Sequence, residues 1–488
     1  MHDGGQGRTP DGAPMLPADW RVVLDPGVRR IDGRSVLVGG SPLRMLRLTD
    51  AGTRLIDRLV AGEPVPQSVS AQRLVRRLLD AGIAHPRPGT SSLTRADVTV
   101  VVPVRDRPHE LAVTLATIGD AHAVVVVDDG SEGDAVAQVA DEYGTTYARH
   151  ERTRGPAAAR NTGWREAATA LVAFVDADCE PEPGWLDRLL SHFDDSQVAA
   201  VAPRVLSRIP STLPDVLARY ETAVPSLDRG PDEALVRPRS RVPFVPTATL
   251  VVRRDALAAL GGFDEAMHIG EDVDFVWRLD ESGWSVRYEP SVTVSHPARP
   301  TAKAWLRQRF DYGTSAAALA QRHGSAVAPL AVSPWSALAW TLAGLGAPIA
   351  GSAVAAGTTA LLAPRLEGIE HPWAEAARLA GMGHLYAGLS VAGAVRRPWW
   401  PVAVAAATVS RPARASFVVA VTIPAWREWR RLRPPLDPVR WTAVRLADDL
   451  AYGAGVWCGC VRARSFAALK PDLTSWPGRR PAIDVTET

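Results

Sequence analysis

Cysteine is nearly absent, with three residues in 488: Cys179, Cys458 and Cys460. Three thiols supply no disulfide framework and suit a reducing compartment. Cys458-Gly-Cys460 has no second ligand pair, which argues against a zinc site. Net charge is close to zero at +2, so nothing indicates a nucleic-acid partner. The N-terminus lacks an apolar core. It is polar, rich in Gly and Pro and carries Asp, which is not the pattern of a secretory signal peptide. Residues 1–18 are expected to be disordered. No Gly-x-Gly-x-x-Gly follows the first strand-like run of the central region, which disfavours a dinucleotide-dependent dehydrogenase. Residues 325–364 contain no charged residue at all.

What is present is a series of apolar runs that stop at carboxylates. Leu171–Val175 ends in Asp176-Ala-Asp178. Ala123–Val127 ends in Asp128-Asp129-Gly130-Ser131, and Val98–Val102 ends in Pro103-Val104-Arg105-Asp106-Arg107. Helix-like stretches lie at roughly 107–118, 133–143 and 156–170. Strands alternating with such helices predict a parallel sheet with right-handed crossovers. The strand ends then bring Asp106, Asp128, Asp129, Asp176 and Asp178 to one rim, where α/β folds bind ligands. So many acids in one crevice need a cation or hydrogen-bond donors. Asp176 and Asp178 suit a divalent cation that grips a diphosphate, although an Asp-x-Asp pair also occurs in solvated loops. Arg152, Arg154 and Arg160 flank a Gly-Pro that opens a helix, a suitable setting for an anion. Farther on, Glu271-Asp272 with Asp274 begins another helix, where the macrodipole favours acids whatever their role.

Taken in order, Val-Pro-Val-Arg-Asp-Arg, Val-Asp-Asp-Gly-Ser, Gly155-Pro-Ala-Ala-Ala-Arg160-Asn161-Thr-Gly163, Asp176-Ala-Asp178 and Gly270-Glu271-Asp272-Val-Asp274 resemble an inverting family 2 glycosyltransferase of the GT-A fold. The resemblance covers about 97–300. It implies a nucleotide-sugar donor bound through Pro103, Arg105, Asp106, Asp128, Asp129, Arg160 and Asp176. Asp128 or Asp129 would meet the uridine base and Asp176 the ribose. It also implies Mg2+ or Mn2+ on Asp178, with Asp176 and His296 as further ligands, although a histidine ending the run Val292–Ser295 also has a structural reading. Inversion at an anomeric carbon needs a carboxylate that takes the acceptor hydroxyl's proton, and the resemblance assigns that role to Asp272 with Glu271 beside it. Trp305–Gly313 reads as a basic aromatic helix. It carries Gln308-Arg-Phe-Asp where processive relatives have Gln-x-x-Arg-Trp, so a long-polymer synthase is disfavoured.

Outside 97–322 the chain reads as two further regions. Residues 19–88 form a small winged-helix-like α+β domain, with strands at Trp20–Leu24, Val28–Ile31 and Val36–Val38, two helices and a closing strand at Gly82–His85. It resembles peptide-recognition domains that bind by strand addition, and equally reads as a structural appendage. The uncharged stretch 325–364 is long enough for two short spans or for one span with a re-entrant part, or it forms a buried hairpin. Eleven of the 16 tryptophans follow residue 300, several beside arginine, as at a membrane interface. Residues 323–488 are therefore expected to be a helical, membrane-associating region at the cell membrane, with the catalytic domain on the cytoplasmic side.

These parts together resemble family 2 transferases that act on a peptide-derived redox cofactor of the mycofactocin type. That narrower resemblance implies transfer of glucose from UDP-glucose to a small peptide-derived acceptor, building a short β-glucan. The alternative is single addition to a cell-wall or lipid-linked glycan.

Overall fold

A computed structural model describes residues 15–119, 123–366, 368–473 and 484–485. The described residues divide into two compact units, one holding 15–208, 226–297 and 484–485, the other 209–225 and 298–473. The expected disordered tail 1–18 lies mostly outside the described residues. At its end, however, Leu16 is buried in the first hydrophobic core, and its N–H donates to Gln72 Oε1 at 2.8 Å.

The first unit begins with β1 (Arg21–Leu24), β2 (Arg29–Ile31), β3 (Val36–Gly39), β4 (Arg44–Arg47), α1 (Asp50–Val60), α2 (Val69–Asp80) and β5 (Ala84–Arg87). Strand β4 was not foreseen in the sequence; Arg44 and Arg47 at its ends hide the short apolar core Met45-Leu46. Strands β2, β3 and β4 pair antiparallel, and β1 pairs with β5. The amphipathic faces of α1 and α2 bury Ile56, Leu59, Val75, Leu78 and Leu79. A buried Arg76–Asp195 pair, with N–O distances of 2.7 and 3.0 Å, ties α2 to the following part of the same unit.

That following part is built on β6 (Val98–Val104), α3 (Pro108–Ile118), β7 (Ala123–Asp128), α4 (Ala135–Glu142), β8 (Thr146–Arg149), α5 (Pro156–Glu166) and β9 (Leu171–Val175). Continuous Val and Leu runs suit strands buried on both faces. The parallel order is β9-β6-β7-β8. The chain thus winds one way from β6 and then returns to its other side, so the switch point lies between β6 and β9. The three acid-bearing strand ends belong to β6, β7 and β9. They are not consecutive, because the short β8, which sequence reading passed over, intervenes.

The second half of the sheet is mixed. It comprises β10 (Glu180–Pro181), β11 (Val198–Arg208), β12 (Ala234–Leu235), β13 (Thr249–Arg253) and β14 (Ser285–Pro297). Strand β13 runs antiparallel to β9 and β11, whereas β11 and β14 are parallel. Helices α6 (Trp185–Leu190), α8 (Arg254–Leu260) and α9 (Glu271–Glu281) complete this part.

The second unit is helical. It contains α7 (Asp215–Ala223), α10 (Ala302–Thr314), α11 (Ala316–His323), α12 (Pro334–Gly344), α13 (Pro348–Leu362), α14 (Pro372–Arg396), α15 (Trp400–Val409), α16 (Arg411–Leu432) and α17 (Pro438–Arg462). Helices α10 and α11, placed before the sequence boundary at 322, group here. A Cβ on Gly455 of α17 would stand 1.9 Å from the Phe310 carbonyl of α10, so only glycine permits that approach. Arg309 of α10 is buried against Glu221 of α7 at 2.6 Å. Pro348–Leu366 is long and apolar enough to cross a membrane, with a mean hydropathy of 1.2, and most of it is not buried within the protein.

Candidate active site

The loops after β6, β7 and β9 meet at the switch point of the sheet. Pro103 lies within β6 opposite Val127, but the ladder to β9 ends at Val101–Phe174. Its missing N–H therefore interrupts no pairing on that side. Asp106 then adopts a left-handed φ of 53°, uncommon outside glycine. Its backbone N–H donates to Ser131 Oγ at 2.9 Å and its Oδ1 accepts from Glu132 N at 2.8 Å. The loops after β6 and β7 are locked together by these bonds. Arg105 Nε approaches Asp106 Oδ2 at 3.2 Å, and both side chains are about half exposed.

The two aspartates after β7 have different surroundings. Asp128 Oδ1 accepts from Ser131 N and Oδ2 from Tyr147 hydroxyl, each at 2.8 Å. Asp129 accepts from His150 Nδ1, Thr153 Oγ1, Arg154 N and Gly155 N, all within 2.7–2.8 Å. Burial would raise its pKa, but these four bonds together hold it below the ordinary value. A carboxylate offers about four lone pairs, so Asp129 is saturated and shapes the 150–155 loop. Asp128 is buried too, but each of its oxygens accepts one bond, so it keeps lone pairs that Asp129 has spent. Gly130 fits this corner at φ 77°, where a Cβ would meet the Arg152 backbone at 2.7 Å. The amides that serve Asp129 belong to Arg154 and to Gly155, the N-cap just ahead of α5, and the Arg154 side chain turns to Glu265 at 2.7 Å.

Strand β9 ends in a tight turn. Cys179 N donates to the Asp176 carbonyl at 2.9 Å. The buried Thr114 hydroxyl of α3 bridges the carbonyls of Ala177 and Cys179, each at 2.9 Å. This clamp fixes the direction of both acids. Asp178 is buried; its Oδ2 accepts from Arg107 Nη1, and its Oδ1 lies 3.6 Å from His296 Nε2 at the end of β14. Arg107 stands inside the first sequence motif, where its residue type alone suggested no role.

The second acidic centre opens α9 behind Gly270, whose φ is 86°. Arg160 is buried and bridges the two centres, donating to Asp176 Oδ1 at 2.7 Å and to Glu271 Oε1 at 2.9 Å. Asp272 is partly exposed and accepts from Val273 N at 2.8 Å. Burial raises both, Glu271 to about 7 and Asp272 upward from its ordinary value. The neighbouring charge of Asp272 adds to the rise at Glu271, and Arg160 offsets part of it. Asp274 is fully buried and pairs with Arg278 at 2.8 Å, a structural tie within α9.

Beneath Arg160, Phe263 packs edge-on against Phe174 and tilted against Phe275, at centroid distances of 5.2 and 4.5 Å. Asn161 brackets Phe263, accepting from its N–H and donating to its carbonyl. Gly262 cannot carry a Cβ, which would sit 2.2 Å from Asn161 Oδ1. Asn161 thus positions the turn that supports Arg160. Arg107, Thr114, Tyr147, His150 and Thr153 are polar residues here to which the sequence gave no role; Arg107 could have been noticed only by its place beside Asp106.

The strand ends therefore bring together a buried carboxylate near a histidine and an arginine-bridged acid pair. Residues 99–261 match the model of glycosyl transferase family 2. The chain is 41% identical to the pre-mycofactocin glycosyltransferase of Mycobacterium tuberculosis over 94% of its own length and 99% of that protein. It is 30% identical to glycosyltransferase AglE of Haloferax volcanii, over 44% of this chain and 71% of that one. Among solved structures, a Pyrobaculum calidifontis mannosyltransferase in complex with GDP-Man and Mn2+ aligns over 76% of this chain and 90% of its own, at 19% identity and a TM-score of 0.43. The sheet is mixed α/β and GT-A-like, as the motif order implied, and the chain belongs to glycosyltransferase family 2.

Proposed function

We propose that this glycosyltransferase moves glucose from UDP-glucose, with inversion, to a small peptide-derived redox cofactor precursor and builds a short β-glucan on it. The name of the Mycobacterium tuberculosis relative supports that acceptor. The observation that carries the mechanism is Arg160, which joins the donor-side Asp176 to the base-side Glu271 within one cleft.

In this reading Pro103, Arg105, Asp106 and Asp128 face the nucleotide, and Asp129 acts by shaping the loop beneath it. Asp176, held by Arg160, faces the ribose. Asp272 takes the proton from the acceptor hydroxyl as that oxygen attacks opposite the leaving diphosphate. Its raised pKa makes it a stronger base once ionised, and its partial exposure gives the acceptor access. The Val273 N–H holds one of its oxygens, and the charge of Arg160 acts on it from nearby.

Asp178 and His296 present one carboxylate and one imidazole 3.6 Å apart, a donor set that fits Mg2+ or Mn2+. Among the described residues no cluster of three or more acidic, His or Cys side chains would hold the ion alone. The remaining ligands would thus be diphosphate oxygens and water, the usual habit of these cations. When bound, the ion stabilises charge on the leaving diphosphate. Asp176 has its Oδ1 engaged by Arg160 and is at most a partial ligand.

We also propose that Pro348–Leu366 and the tryptophan–arginine segments bring the enzyme to the cell membrane, with catalysis on the cytoplasmic face. The test of function is incubation of the full-length protein with UDP-glucose, Mn2+ and the peptide-derived acceptor. The expected result is acceptor gaining successive hexose masses in β linkage. Transfer only to a lipid-linked or cell-wall glycan would favour the alternative acceptor and overturn this one.

A further inference from the structure

Arg107 meets Asp178 across the switch point, on the carboxylate assigned above to the metal. It is the last residue before α3, where Pro108 fixes the backbone. Its side chain is 44% exposed, whereas that of Asp178 is 8% exposed. The arginine is thus the movable partner and the aspartate the fixed one. The other Asp178 oxygen faces His296, beyond hydrogen-bond range but suited to sharing a cation. The guanidinium sits on Oδ2 while the imidazole faces Oδ1, so a divalent cation taken up at Oδ1 would stand beside the guanidinium on the same carboxylate, where their like charges repel.

We propose that Arg107 is a charge placeholder at the metal position. It neutralises Asp178 until a cation arrives with the nucleotide diphosphate, then swings outward and donates to that diphosphate. Arginine suits the task because its planar fork binds carboxylate and phosphate alike. Free cation alone must displace the arginine with no anion to receive it. Cation and nucleotide therefore bind as a cooperative pair, each raising affinity for the other. Arg107 is a positioning residue in this scheme, and the proposal rests on the metal assignment to Asp178.

The experiment measures Mn2+ binding to the full-length protein by the electron paramagnetic resonance of the free ion, with and without UDP. Without UDP, Arg107→Ala is expected to bind Mn2+ about tenfold or more tightly than the unaltered protein, the scale of removing a directly paired charge. Arg105→Ala removes an equal charge that does not touch Asp178 and should change affinity by much less. With UDP present, the advantage of Arg107→Ala should shrink or reverse, because the diphosphate loses its arginine. Equal or weaker Mn2+ binding by Arg107→Ala without UDP, in a protein that does bind Mn2+, overturns the placeholder alone. Absence of Mn2+ binding by both proteins even with UDP overturns the metal assignment and the placeholder with it.

Discussion

Replacing Arg160 with methionine tests the electrostatic centre of the site. The guanidinium is buried and donates to Asp176 at 2.7 Å and to Glu271 at 2.9 Å. Methionine keeps much of the packing over Phe263 but leaves two carboxylates without their cation. Breaking a buried pair by removing one partner costs about 3–5 kcal/mol. The loss should depend on pH, with a definite sign. Glu271 already has a raised pKa from burial and from the neighbouring Asp272, and Arg160 opposes that rise. Without Arg160 the pKa climbs further, so the protonated acid is tolerated at low pH and the ionised acid is penalised as pH rises. Because Glu271 with Arg160 in place titrates near 7, the stability deficit of Arg160→Met should grow as pH rises through about 7 to pH 8, as followed by chemical denaturation with circular dichroism. Glu271→Gln in the same background should restore part of the loss. A deficit below about 1 kcal/mol at pH 8, or one independent of pH, would refute the bridging role.

Asp178→Ala should remove most transfer activity while thermal unfolding changes little, because its partner Arg107 is 44% exposed and can turn to solvent; unchanged activity in the presence of chelator would remove it from the metal site. The rate on bound donor should fall on the acid side with an inflection above that of an ordinary aspartate, since burial raises Asp272 as well as Glu271; a profile that stays flat down to the ordinary aspartate range would contradict the raised base. The full-length protein should sediment with membranes and resist extraction by high salt, which screens charge but not apolar contact; recovery without detergent as a soluble species would count against the membrane proposal.

Much of the catalytic half was legible because its signals are local. Apolar runs ending in acids marked β6, β7 and β9, and Gly-Pro and Gly-Glu-Asp marked the starts of α5 and α9. The mixed half was less legible. Strands β11, β13 and β14 gain their places by pairing across long separations, as when Thr249–Arg253 runs against Leu171–Val175, and no local pattern encodes such partners. The short β8 and β4 were missed because four residues each give periodicity too little to work with. Within the site, residue types pointed to the right strand ends, but hydrogen-bond partners did not follow from sequence. Asp128 and Asp129 are adjacent and identical, yet only the fold shows that Asp129 is filled by four donors. Arg107 was equally invisible as a partner of Asp178, because the contact spans the switch point.

The central claim is that Asp272 is the proton acceptor, and Asp272→Asn tests it most directly. The substitution keeps the size of the side chain and removes its basicity. The measurement pairs single-turnover transfer from pre-bound UDP-glucose with donor affinity measured on the same protein. The rate is expected to fall by about a hundredfold or more with donor affinity nearly unchanged. A collapse of donor affinity with an unchanged rate on bound donor would contradict the assignment and place the base elsewhere.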